Sequence, residues 1–244
     1  MTGPSSSLSQ LVAQIERGLR RHANAARSDL MSGGYAPSRL RCIGATVPEM
    51  RAIGREIARE TKAAPARQVI KLALSLTRTG AIEARQIGYE LIARRPDAMA
   101  LLTPRLIRAL GRGNDNWASV DGFATHLAGP AWRLARVSDR NVLAWATSSD
   151  EWWRRTALAS TVALNVRARG GAGDTRRTLM ICHRFASGTN PMLAKALSWA
   201  LRSLVPHDPG AVRRFLAQQA GLPAIVRREV TAKLTTGRKA RRPA

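Results

Sequence analysis

Three short runs hold the residues with chemistry to offer. In the first, NDNWASVD at 114–121, Trp117 and Asp121 lie four apart, so on a helix they share one face, one turn apart. A carboxylate weakens attraction to a phosphate backbone, so in so basic a chain it needs a structural or a catalytic reason. As a structural residue it would cap a helix or pair with an arginine. Asp115 or Asn116 suits the cap better, because Asp121 falls mid-helix. The second run is EWWRR at 151–155. Trp152 and Trp153 point about 100° apart on a helix, so both cannot be core, and one faces a groove edge or a neighbouring helix. Arg155, with Arg154 beside it, follows Trp152 by three residues on its general face. The third run, KALSWALR at 195–202, sets Lys195, Trp199 and Arg202 at i, i+4 and i+7. A ring flanked by two cations suits a nucleic-acid backbone and the sugar or base beside it. Trp199 reads equally well as a core tryptophan between helices, and Trp132 and Trp145 read as core.

A carboxylate among aromatics and cations suits stabilisation of positive charge on a sugar, or positioning of water, during cleavage of a glycosidic bond. The nearest template is the carboxylate facing an oxocarbenium-like centre in sugar hydrolases, which conventionally use two acids. Only one strong carboxylate is visible here. A leaving group that is already cationic departs without a proton and needs no second acid, and alkylated purines meet that condition. Other chemistry is thin. His22, His126, His183 and His207 have no metal-ligand spacing. Cys42 and Cys182 form neither a CxxC pair nor a disulfide framework, and Cys182 reads as buried beside an incidental His183. No Walker motif, GxGxxG or paired metal-binding carboxylates occur, so nuclease, ATPase and oxidoreductase readings lose their usual supports. Neither cofactor nor metal is expected.

These runs sit in a chain of 244 residues with 40 basic and 16 acidic side chains, a formal charge of +24, and 45% hydrophobic residues. That apolar fraction is too high for a disordered basic tail protein, and the length fits one domain or a short repeat array. Arginine far outnumbers lysine. High genomic G+C content explains part of that bias but not the shortage of acids. A folded body of this charge calls for a polyanion, and nucleic acid leads. No apolar run approaches the roughly 20 residues that span a bilayer, and the opening residues do not form a secretory signal. The expectation is a bacterial cytoplasmic protein, associated with the nucleoid through DNA.

The elements that must position these runs are helices. A 3.6-residue period covers 47–60, 81–94, 99–111, 117–128, 139–147, 152–166, 174–186, 191–204, 211–220 and 223–235, with short Gly-, Pro-, Asn- and Asp-rich breaks between. The helices pair, and the second of each pair starts near Ala81, Trp117, Trp152, Pro191 and Pro223, in steps of 36, 35, 39 and 32. That spacing predicts an all-α, HEAT-like helical-repeat array, an α-solenoid with a concave basic groove for DNA, with a compact bundle as the alternative. Arg85, Arg154, Arg155, Lys195, Arg202, Arg227 and Arg228 fall on the second helices and would line the groove. Residues 8–236 are expected to form a single repeat domain, between a disordered segment 1–7 and a flexible basic tail 237–244.

The ordered set NWASVD (116–121), WWRRTALAS (152–160) and KALSWALRSL (195–204), supported by GATVPEMRAI (44–53) and EARQIGYELI (83–92), resembles the AlkD-type bacterial alkylpurine DNA glycosylases over roughly 10–236. The resemblance implies HEAT-like repeats and removal of N3- or N7-alkylated purines, such as 3-methyladenine and 7-methylguanine, from double-stranded DNA. It implies no drawing of the base into a pocket and no strand cleavage. Asp121 matches the family's catalytic aspartate, which stabilises charge on the deoxyribose and helps position water. Trp117 and Trp199 match the tryptophans flanking the lesion nucleotide, and Arg155 matches the phosphate-binding arginine, with Arg154 within a one-residue error of that role. Lys195 and Arg202 are expected to add DNA contacts, and the protein is expected to act as a monomer, without a membrane partner. Asn116-Trp117-Ala118 departs from the WWD-type runs common in the family, which puts lesion range and rate in doubt. The competing class is a non-catalytic helical-repeat protein that binds damaged, bent or branched DNA.

Overall fold

A computed structural model describes residues 7–238; parts of the proposed terminal segments, 1–6 and 239–244, lie outside the described residues. Ser7 is the N-cap of the first helix, in a capping box with Gln10, and the last helix ends at Gly237. The described residues form no strand, only an isolated bridge between Arg41 and Ala81. The fold is an all-α, HEAT-like helical-repeat array. It divides into two compact units, Met1–Phe123 and Ala124–Ala244.

The first unit contains α1 (Leu8–Arg21), α2 (Ala25–Leu30), a π turn (Met31–Tyr35), α3 (Val47–Glu60), α4 (Ala66–Arg78), α5 (Ile82–Ala93), α6 (Pro96–Ala100), α7 (Pro104–Gly111) and α8 (Trp117–Phe123). The periodicity at 47–60 matches α3, which opens with Pro48 in its first turn. The run at 99–111 is cut in two because Pro104 starts a fresh helix, capped by Thr103. Helices α1, α2 and α4 lie in stretches where the sequence reading placed none. Helix α5 packs on α3, α4 and α8. It is buried on several faces because Ala84, Ile87 and Leu91 are joined inside by Tyr89 and Ile92. Close passage of α4 is allowed by Gly88, where a Cβ would sit 3.1 Å from the Ala73 Cα.

The second unit contains a π segment (Ala124–Ala128), α9 (Gly129–Arg133), α10 (Asp139–Ala146), α11 (Glu151–Asn165), α12 (Thr175–Cys182), α13 (Pro191–Leu204), α14 (Pro209–Gln218) and α15 (Ala224–Thr236). The second helices of successive pairs stack, α11 on α13 and α13 on α15. Residues 155–165 of α11 are all buried, as expected of a helix covered from several sides. Trp132 and Trp145 are core residues, and Trp132 is wholly enclosed, its indole N–H donating to Asp139 at 2.8 Å.

Candidate functional site

In the first unit, α8 starts where it does because Asn116 caps it: the Asn116 side-chain oxygen accepts the Ser119 amide at 2.9 Å. Asp121 is therefore not spent as the cap. Asp115 and Asn116 are pinned from a distant stretch of chain. Asp115 accepts the Ser38 hydroxyl, the Arg39 amide at 2.8 Å and the Arg39 Nε at 3.3 Å, while the Asn116 amide donates to Ser38 Oγ at 3.0 Å. Burial alone would push the Asp115 carboxyl up. The hydrogen bonds from Ser38 and Arg39 outweigh that and hold it below its ordinary value.

Trp117, the first residue of α8, donates its indole N–H to the Tyr35 carbonyl at 2.6 Å. The Tyr35 ring meets it edge-on, with centroids 5.0 Å apart at 85°. Trp117 is half-buried in a fixed orientation, and Tyr35 is exposed. Asp121 follows one turn later, also half-buried. Glu83 steadies the strap that carries Tyr35 and Ser38: its buried carboxylate accepts the Ile43 and Gly44 amides at 2.9 and 2.8 Å.

In the second unit, Arg154 donates to the Ser148 and Ser149 carbonyls at 2.7 and 2.8 Å, closing the turn before α11. Arg155 is 5% exposed, and its guanidinium donates to the Met192 carbonyl, tying α11 to the first turn of α13. Trp152 and Trp153 are both half-buried, and Trp153 meets the buried Trp145 with its ring tilted by 42° and centroids 5.5 Å apart. On α13, Lys195 is exposed and Trp199 half-buried. Trp199 and Arg202 line a cavity of about 460 Å³ together with Asn165, Arg167, His207 and Lys233. Arg202 pairs with Glu229 at 3.5 Å and donates to Ser198 Oγ at 3.2 Å, while Ser198 donates to Glu229 at 2.6 Å. Burial lowers the Arg202 pKa, opposed by Glu229.

Residues 15–234 match a protein-family model described as DNA alkylation repair enzyme. The chain belongs to that family. Its fold is similar to a solved structure titled "Predicted DNA alkylation repair enzyme from Enterococcus faecalis", with a TM-score of 0.70 and 16% identity over 88% of this chain and 98% of that one. At that identity the likeness is one of fold. No curated protein matches the chain in sequence.

Within this family member, Trp117 and Asp121 occur together on one helix, and Trp199 and Arg202 share one cavity. Several cations expected along a groove are engaged internally. Arg85 donates to the Arg112 carbonyl at 2.9 Å, Arg227 caps the end of α14 through the Leu216 and Gln219 carbonyls, and Arg154, Arg155 and Arg202 have the partners given above. Lys195 and Arg228 are exposed. The sequence reading missed the strap at 35–39, whose bonds reach 76 to 82 residues along the chain with no periodic signal. Among the described residues, no His, Cys, Asp or Glu group could hold a metal ion. Burial, then Glu83, pushes the Cys42 thiol up to about 11, and burial raises that of Cys182, so neither is a ready thiolate. No helix among the described residues is long and apolar enough to cross a membrane.

Proposed function

We propose that this protein is a monofunctional DNA glycosylase acting on cationic N3- and N7-alkylated purines in duplex DNA. Membership of the DNA alkylation repair family supports a repair role. The observation that carries the enzymatic reading is the α8 ledge. Asn116 takes the capping work, the strap at 35–39 fixes Trp117, and Asp121 stands one turn along the same face as that fixed ring.

In the reaction the bond between the deoxyribose C1′ and the purine nitrogen breaks. The bonding pair goes to the purine, neutralising its positive charge, so no general acid is needed. Asp121 stabilises the positive charge left on the sugar and holds the water that adds to C1′, and the water's proton passes to the solvent as the bond forms. The products are a neutral alkylpurine and an abasic site in an unbroken strand. Trp117 and Trp199 each pack against sugar and backbone of the DNA, and the base is not drawn into a pocket. Lys195 contacts DNA phosphate from an exposed position, while Arg154, Arg155 and Arg202 add positive charge from internally bonded ones. The protein works as a monomer without cofactor or metal, in the bacterial cytoplasm, on DNA.

The test is release of alkylated purines from methylated duplex DNA, wild type beside Asp121→Asn, with duplex binding measured in parallel. The expected result is release by the wild type and a loss of about a hundredfold or more in a variant that still binds. Tight binding without release by either protein would replace this reading with that of a non-catalytic DNA binder.

A further inference from the structure

The first unit contains a second cationic feature, separate from the Trp117–Asp121 ledge. A cavity of about 520 Å³ is lined by Arg78 from the end of α4, Arg85 from α5, Arg105 and Arg108 from α7, and Arg112 just beyond it, with Leu74, Thr77, Ala109 and Gly113 completing the wall. No acidic residue is among the lining residues. Arg105, Arg108 and Arg112 stand at i, i+3 and i+7, which aligns them on one face of α7 and its C-terminal cap. Like charges at such spacings repel one another and weaken the helix that carries them. Burying a cation beside them adds to that cost.

Arg85 is that buried cation, only 5% exposed. Its Nη1 donates to the Arg112 carbonyl at 2.9 Å and to the Asn114 side-chain oxygen at 3.2 Å, which fixes the guanidinium at the cavity wall. Its Nε is buried with no hydrogen-bond partner. A buried, fixed guanidinium with an unmet donor, lining a cavity together with four further arginines, has the character of an anion site. Planar forks of N–H donors match carboxylate and phosphate oxygens bidentately, and several guanidinium charges around one cavity favour the more highly charged phosphate.

We propose that this cavity is a phosphate-binding site. Arg85 supplies a fixed guanidinium, and Arg78, Arg105 and Arg112 supply further N–H donors around the oxygens. The phosphate comes either from a free oligophosphate or from a DNA backbone; the recognition chemistry is the same. The proposal does not depend on base release.

The test uses the full chain and three proteins: wild type, Arg78→Gln/Arg105→Gln in the rim, and Arg55→Gln/Arg59→Gln on α3 as a control of equal charge change. All four positions are exposed, so folding is expected to survive. Inorganic pyrophosphate is titrated calorimetrically, and duplex affinity is measured across a salt series. For a free-phosphate site, the rim variant weakens pyrophosphate binding about tenfold or more relative to the control, at unchanged duplex affinity. For a backbone site, the rim variant lowers the duplex salt slope by about 1 to 2 more than the control does, and pyrophosphate competes with duplex. Equal losses in rim and control variants, or absent pyrophosphate binding together with an unchanged duplex slope, would overturn the proposal.

Discussion

Asn116 illustrates how one side chain serves both stability and the candidate chemistry. It caps α8, and its amide bonds Ser38, so it sets where Trp117 and Asp121 begin and which way they face. Asn116→Ala is expected to cost about 1 kcal/mol or somewhat more in urea unfolding, since the loss of a cap is joined by the loss of a buried partner for Ser38. Base release should fall further than stability explains, because both site residues are displaced; release that follows only the folded fraction would argue against this positioning role. The Trp117 indole N–H makes a similar prediction. Trp117→Phe keeps a ring beside Tyr35 but loses the bond to the Tyr35 carbonyl, at an expected cost of about 1 kcal/mol.

At the scale of elements, the helices are held at close range by glycines whose consequences differ with their neighbours. In the second unit Gly129 of α9 lies against α11: a Cβ there would fall 2.5 Å from the Ser160 carbonyl oxygen and 2.7 Å from the Ala163 Cβ. Neither atom is the loose end of a flexible side chain. Gly129→Ala should therefore destabilise by about 1–3 kcal/mol, or more if the helices cannot part. Gly54, inside α3, is the contrast, because the nearest atom to a Cβ there is Ile87 Cγ2 at 3.9 Å, an ordinary contact. Gly54→Ala should stabilise by about 0.5–1 kcal/mol through helix propensity. Thermal unfolding of the two variants side by side checks both signs.

For the whole molecule, charge governs the response to solution conditions. If six to ten phosphates are contacted, duplex affinity should drop about 10³- to 10⁵-fold between roughly 50 and 200 mM salt; a flat salt series would contradict a backbone-driven grip. Acid acts through two anchored carboxylates, one in each unit. Asp115 is held low by Ser38 and Arg39 against its burial. Asp139 is held low, also against burial, by Arg176, Trp132 and Arg177. Both values lie below the unfolded carboxylate value of about 3.9, so their contribution is complete above that pH and is lost as pH falls through the lowered folded values. The stability gap between wild type and Asp139→Asn should be full at neutral pH and shrink below about pH 4; a gap unchanged in acid would mean that the carboxylate's charge is not what Arg176 and Arg177 recognise.

Local pattern alone carried the all-α class, the start positions of the second helices and the one-turn spacing of Trp117 and Asp121. Helical periodicity and capping are short-range properties, written within a few residues of where they act. The core assignments of Trp132 and Trp145, which lacked polar company in sequence, belong with these. Only the tertiary structure decided the rest. The strap at 35–39 reaches α8 from more than 70 residues away. Arg85, Arg155 and Arg202, which as sequence read as cations facing a groove, are turned toward the Arg112 and Met192 carbonyls and Glu229. Helix ends leave carbonyls unpaired, and a buried guanidinium needs partners; which arginines meet those demands depends on which helices pack together. The Arg105–Arg108–Arg112 spacing carries no signal in the sequence by itself. What singles it out is the buried Arg85 Nε beside it, which becomes visible only when α4, α5 and α7 are brought together.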